Sequence, residues 1–228
     1  MIIGKGLIAS QFLDSDRDDV VFFASGVSNS SETREPEFLR EQNLIKKTLE
    51  ENPNQLFIYF STCSIYDSSK YNSPYVLHKL HMEEIIKQNA KSYLILRVSN
   101  AVGHGGSPNL LLNYLVNAIR LNDKINVHTK ATRNLIDTED IKNISLQLIK
   151  DQEKHNQIIN IAYPENFTII EILEILERSF NKKLNLNLIK SGCGYEISIP
   201  EVENYFKKNN LIDKETYLCN IIKKYFPS

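Results

Sequence analysis

The chain has 228 residues and 26.3 kDa, with 42% hydrophobic and 24% charged residues and a formal net charge of -1. That is enough to bury a core as one large domain or a domain with a smaller lobe, and the composition is that of a soluble globular protein. The near-zero charge argues against a nucleic-acid binder; the three cysteines lack metal-ligand spacing and point to a reduced cytoplasm; no apolar run approaches the roughly 20 residues of a membrane span, and the start lacks a basic-then-apolar secretion signal.

Taken in order, strand-like and helix-like stretches alternate, the pattern of an α/β fold with a parallel sheet. "MII" is a short apolar start, and "GKGLIASQFL" turns and continues as a brief helix. "DDVVFFASG" reads as a buried strand ending in small residues. "EPEFLREQNLIKKTLEEN" places Phe38, Leu39, Leu44, Ile45 and Leu49 at near-helical spacing, with Pro36 where a first turn tolerates it. "QLFIYFSTCSIYD" is a central parallel strand ending in hydroxyls, "YVLHKLHMEEIIKQN" a helix, and "SYLILRVSNAVG" another buried strand. Then come helical "NLLLNYLVNAIRLN", a strand "KINVH", helical "TEDIKNISLQLIKDQ", a strand "QIINIA" and helical "TIIEILEILERSFN". "EVENYFKKNNLI" and "KETYLCNIIKKYF" close the chain helically. The expected architecture is a shortened Rossmann-like parallel sheet flanked by helices, with a small C-terminal α/β lobe. Residues 1–106 form the dinucleotide-binding core and 107–228 mainly the substrate lobe, with elements that can return to the core.

Three stretches carry chemistry. "GKGLIA" fits G-x-G-x-x-G/A between a strand and a helix: Gly4 permits a tight turn, Gly6 lets backbone approach a pyrophosphate, and Ala9 allows close packing, with phosphates on the helix's positive end. A plain strand-to-helix turn has the same look. In "FSTCSIY", Ser61, Thr62 and Ser64 stand where an open sheet exposes its site, and hydroxyls there also cap turns. Tyr75 and Lys79 lie four residues apart on one helix face, after Pro74. A nearby ammonium favours ionisation of the phenol, fitting it for acid-base work near neutrality.

Glycine turn, hydroxyl cluster and Tyr-x-x-x-Lys together resemble the short-chain dehydrogenase/reductases, and more narrowly the extended branch, the NAD-dependent epimerase/dehydratases of nucleotide sugars. "FFASG", "EPEFLREQNLIKKTLE", "LILRVSNAVG", "RNLIDTEDIKN" and "QIINIAYPENFTIIEIL" resemble further segments of that family, in order. The resemblance implies that Tyr75 transfers the proton at the sugar oxygen, that Thr62 hydrogen-bonds that oxygen, and that Lys79 holds the nicotinamide ribose and lowers the tyrosine pKa. It implies NAD or NADP against Gly4, Gly6, Leu7, Ile8, Ala24, Ser25, Gly26, Asn43, Ser61 and Lys79. A nucleotide-linked sugar would meet Ser64, Asn100, Val102, Asn109 and Arg133. It further implies surface-polysaccharide sugar biosynthesis in the cytoplasm, and pairing of helices in a homodimer.

Three departures bear on this. A ribose-binding acidic residue normally follows the glycines by about 20 positions. Here "LDSDRDD" leads almost directly into "VVFFASG", so a strand-helix-strand section looks deleted. Alternatively "VVFF" serves as the second strand and brings Ser25, Ser28 and Arg34 to the ribose, which suits a 2′-phosphate. Only about a dozen residues separate Thr62 from Tyr75, and His78 stands where a serine is common. His78 and His81 as metal ligands lack further ligands of metal spacing. A G-x-S-x-G elbow and a G-x-x-x-x-G-K-[ST] loop are both missing, against a serine hydrolase and a P-loop NTPase. The serious rival is a catalytically degenerate member that senses a dinucleotide or contacts a partner protein.

Overall fold

A computed structural model describes residues 1–227. In chain order the elements are β1 (Ile2–Ile3), β2 (Val20–Phe23), α1 (Glu35–Glu51), β3 (Leu56–Thr62), α2 (Pro74–Asn89), β4 (Tyr93–Val98), β5 (Asn100–Val102), α3 (Leu111–Leu121), β6 (Ile125–His128), β7 (Thr132–Arg133) and β8 (Leu135–Asp137). They continue with α4 (Thr138–Lys150), β9 (Gln157–Ile161), β10 (Phe167–Thr168), α5 (Ile169–Phe180), β11 (Leu186–Ile189), α6 (Glu203–Lys208) and α7 (Lys214–Tyr225). Two compact units result: Met1–Ser99 with Thr138–Ile161, and Asn100–Asp137 with the described chain from Ala162 onward. The first division thus falls at Ser99, a little before 106, and one helix and one strand return to the first unit.

The first unit is built on a five-stranded sheet in the order β1-β2-β3-β4-β9, parallel throughout. β2 and β3 are buried along their whole length, which is why they read as unbroken apolar runs rather than alternating ones. On one face α1 and α2 cover Val21, Phe23, Phe57, Tyr59 and Ile95 with Ile45, Leu49, Met82, Ile85 and Ile86. Full burial of each such side chain is worth about 1.5–3 kcal/mol. On the other face Phe12 stacks on Phe22 at 4.6 Å and lies 5.5 Å from Phe60.

Two expectations change here. The helix after "GKGLIA" is a four-residue 3-10 turn, Ala9–Phe12, because the chain must reach β2 within a few residues. "SYLILRVSNAVG" is not one strand: it breaks at Ser99, β4 staying in the main sheet while β5 pairs with β8 in the second unit.

The second unit joins short strand pairs, β5 with β8, β6 with β11 and β7 with β10, to α3, α5, α6 and α7. Tyr163 stacks on Tyr217 at 4.1 Å, beside Phe167 and Phe206. The Asp137 carboxylate accepts from Tyr225 OH at 2.5 Å and Lys224 Nζ at 2.9 Å, while its backbone N–H donates to Tyr217 OH at 2.9 Å. α7 is anchored by these polar contacts as well as by its apolar face.

Candidate active site

In a parallel sheet the C-terminal strand ends face one way, and that end carries the chemistry-bearing residues of the first unit. Gly4 follows β1 with φ +128°, and a Cβ there would lie 2.4 Å from the carbonyl oxygen of Ala24, just past β2. No L side chain fits that turn, so glycine is required. Gly6 is the opposite case: nothing lies within 4 Å of a Cβ, leaving its exposed backbone open to approach. Leu7, Ile8, Ala24 and Ser25 are half-buried around these turns, and the Ser25 carbonyl accepts from the Arg40 guanidinium.

β3 delivers the hydroxyls. Ser61 Oγ donates to Glu83 Oε1 at 2.6 Å, directed beneath α2. Thr62 Oγ1 accepts from Ser64 N at 3.0 Å and so caps the next turn, a bond that leaves its hydroxyl hydrogen uncommitted. The stretch to α2 is wound into two 3-10 turns, the second capped by Asp67, which is how so few residues suffice. Ser73 caps α2 by accepting from Val76 N, and Pro74 occupies its start. Tyr75, 6% exposed, packs in its first turn with Val27 and Val76, alongside Phe38, Ile65 and Leu80.

Lys79 is more deeply buried, 2% exposed, and its ammonium donates to Glu41 Oε1 and Tyr59 OH, both at 3.0 Å. Glu41 is fully buried and also accepts from Tyr59 OH at 2.6 Å and Val27 N at 2.6 Å, with His78 Nε2 at 3.0 Å. Burial alone would raise its carboxyl, but the Lys79 charge and the His78, Tyr59 and Val27 donors outweigh it and hold it well below the usual carboxylate range. Burial and then the adjacent Glu41 charge push the Tyr59 phenol well above its ordinary value. The loop after β2 closes over the cluster, where a Cβ on Gly26 would fall 2.5 Å from Lys79 Nζ and 2.8 Å from Glu41 Oε1. A second ion pair lies beneath the strand ends: Glu83 accepts from Arg97 Nε at 3.0 Å and Nη2 at 2.6 Å.

The helix therefore presents Glu41 to the cluster and not Asn43, which is exposed two positions on, about 200° around α1. Glu41 was missed in the sequence, although it shares a face with Ile45, Thr48 and Leu49, which are also buried. Ser64 is half-buried within the 3-10 turn Cys63–Tyr66 that Thr62 caps. His78 is committed to Glu41 and stacks on Phe38 at 4.6 Å, whereas His81 is exposed. No metal-holding group of three or more His, Cys, Asp or Glu occurs among the described residues.

The residues expected to meet substrate outside the main sheet belong to the second unit. Asn100 and Val102 line a small cleft with Leu110, Asn113 and Leu135. Asn100 Nδ2 is spent on the Asn134 carbonyl at 2.7 Å. Asn109 is exposed in the preceding glycine-rich loop, which Asn113 Nδ2 ties down through the carbonyls of Gly105 and Ser107. Arg133 sits in β7, half-buried, donating to the neighbouring Thr132 carbonyl. Asn134, also missed, bridges to Tyr163 through both its amide groups.

A profile of the NAD dependent epimerase/dehydratase family matches residues 8–162, well over half of the chain. No curated protein sequence matches. Among solved structures, the UDP-glucuronic acid 4-epimerase of Bacillus cereus, in complex with UDP-glucuronic acid and NAD, superposes with a TM-score of 0.69 at 18% identity, over 94% of this chain and 78% of that one. RMD from Pseudomonas aeruginosa, complexed with NADPH, gives 0.69 at 15% identity, over 90% and 80%. The UDP-N-acetylglucosamine 4-epimerase of Methanobrevibacter ruminantium M1, in complex with UDP-N-acetylmuramic acid, gives 0.66 at 15%, over 89% and 77%. At these identities the likeness is one of fold.

Proposed function

The chain belongs to the NAD-dependent epimerase/dehydratase family, and from that premise we propose that it binds NAD or NADP and reduces, oxidises or epimerises a sugar carbon of a nucleotide-linked sugar. The setting is cytoplasmic synthesis of surface-polysaccharide sugars. One observation carries the reading: the glycine turn after β1, the Ala24–Gly26 loop after β2, Thr62 closing β3 and Tyr75 and Lys79 opening α2 share one end of a parallel sheet. The open backbone at Gly6 supports the reading, because it leaves room for a pyrophosphate to approach. A nicotinamide held there would supply hydride-transfer chemistry. Tyr75 moves the proton at the sugar oxygen, Thr62 donates its free hydroxyl hydrogen to the same oxygen, and Lys79 holds the ribose.

A second reading has its own observation. Glu41 and Tyr59 already engage the Lys79 ammonium, which favours a protein that binds the dinucleotide without turnover, as a sensor. Calorimetric titration with NAD(H) and NADP(H), followed by a screen of nucleotide sugars and their 4-keto forms for NAD(P)H change and epimer products, separates the two. Turnover that falls about 10²–10⁴-fold in Tyr75→Phe, with binding kept, is the enzyme's signature. Binding without turnover across the panel is the sensor's. No binding of any of the four nucleotides removes both readings.

A further inference from the structure

A dinucleotide held across an open α/β sheet ordinarily sits where the strand order reverses, with one half on either side of the glycine-bearing strand. Here the order β1-β2-β3-β4-β9 never reverses, and among the described residues nothing pairs with the outer edge of β1. β2 has β3 as its other neighbour, and β3 leads into α2 with Tyr75 and Lys79. β2 therefore lies between the glycine turn and the proton-transfer pair, and cannot serve as the adenosine-side strand.

The acidic residues that follow the glycines are in the wrong place for a ribose. The amino group of Met1, at the start of β1, pairs with Asp16 at 3.0 Å and donates to the Arg17 carbonyl at 2.8 Å. Asp18 and Asp19 immediately precede β2, with Asp19 paired to Arg17. In parallel strands this places Asp16 to Asp19 at the N-terminal end of the sheet, opposite Gly4 and Gly6. Asp14 is held by Lys142 Nζ at 2.6 and 2.7 Å. Arg34, the candidate for a 2′-phosphate, is closed onto Glu32 through Nε at 2.9 Å and Nη2 at 2.8 Å.

We infer that the site takes the cofactor by its nicotinamide mononucleotide half, up to the pyrophosphate at Gly4 and Gly6, and leaves the adenosine in solvent, so that NADH and NADPH are not told apart. This rests on the cofactor reading above. Calorimetric titration of the full chain with NADH, NADPH, reduced nicotinamide mononucleotide and adenosine tests it. The three nicotinamide ligands are expected to bind within about tenfold of one another, a margin of about 1.4 kcal/mol. Adenosine is expected not to displace the mononucleotide, and Arg34→Ala to leave NADPH affinity within the same tenfold. A gap beyond tenfold among the three ligands, displacement by adenosine, or a larger loss in Arg34→Ala would overturn the inference and leave the cofactor reading standing. Failure of all three nicotinamide ligands to bind overturns both.

Discussion

Glu41→Ala is the most informative perturbation of the first unit, because one carboxylate organises four donors in a site closed to water. Its loss leaves the Lys79 ammonium buried beside Tyr59 without a counter-charge, and the Val27 N–H without an acceptor. Breaking a buried pair by removing one partner costs about 3–5 kcal/mol, and an orphaned buried N–H about 1–3 kcal/mol, the two not simply adding. A loss of about 3–5 kcal/mol is therefore expected, read as a lower urea midpoint by far-UV circular dichroism. Coincidence with tyrosine fluorescence checks that one transition is followed in a chain of two units. Lys79→Met should cost a similar amount by stranding Glu41. The double variant Glu41→Leu/Lys79→Met, which removes both charges, should cost clearly less than the sum of the single Glu41→Leu and Lys79→Met losses. The acid limb carries the same signature. A carboxyl held below its ordinary 4.5 binds fewer protons folded than unfolded, so its contribution is complete above about pH 4.5 and is lost as pH falls below that. Glu41→Gln should flatten that part of the stability profile. Additive single variants, or an unchanged midpoint in Glu41→Ala, would refute the buried pair.

Two further outcomes follow from local geometry. Gly4→Ala should lose about 1–3 kcal/mol, since the residue sits at φ +128° with Ala24 in the way, whereas Gly6→Ala, with nothing within 4 Å of its Cβ, should leave the melting temperature unchanged; equal effects would refute the turn as described. Of the three thiols, exposed Cys193 should react promptly with a disulfide reagent. Cys63, buried and pushed up to about 12, should react only on unfolding, and its modification in the folded protein would contradict the packing of β3 against β4.

Strand and helix identities were legible wherever a run was long and of one period. β3 and the helices α1, α2, α4 and α5 announce themselves because burial on two faces, or on one stripe, imposes a pattern on the composition. The pairs β7 with β10 and β6 with β11 were not all visible: β7 and β10 are two residues each, and β11 alternates polar and apolar on a half-exposed edge. Such pieces exist because a distant partner supplies their hydrogen bonds, and that partner is not written locally. The break at Ser99 is of the same kind, since β4 and β5 form one apolar run whose halves pair with β9 and β8.

The site divides along the same line. The expectations for Tyr75 and Lys79 rest on their spacing and that for Thr62 on its place at a strand end, all local features. What the spacing could not say is where the ammonium of Lys79 goes. Four residues along a helix bring a phenol and an ammonium to one face, yet the ammonium follows the strongest acceptor within reach, and α1 supplies one in Glu41. A lone glutamate among Arg40, Gln42 and Asn43 looks like solvent-facing helix until its spacing from Ile45, Thr48 and Leu49 is counted. An ionised side chain at a buried heptad-like position is costly unless paired, so its presence there demands a cation, and the nearest buried cation is Lys79. The lysine's ammonium is thereby engaged by Glu41 and Tyr59. Under the proposed cofactor reading, a ribose would compete with that carboxylate for it, and the outcome of that competition would separate turnover from sensing.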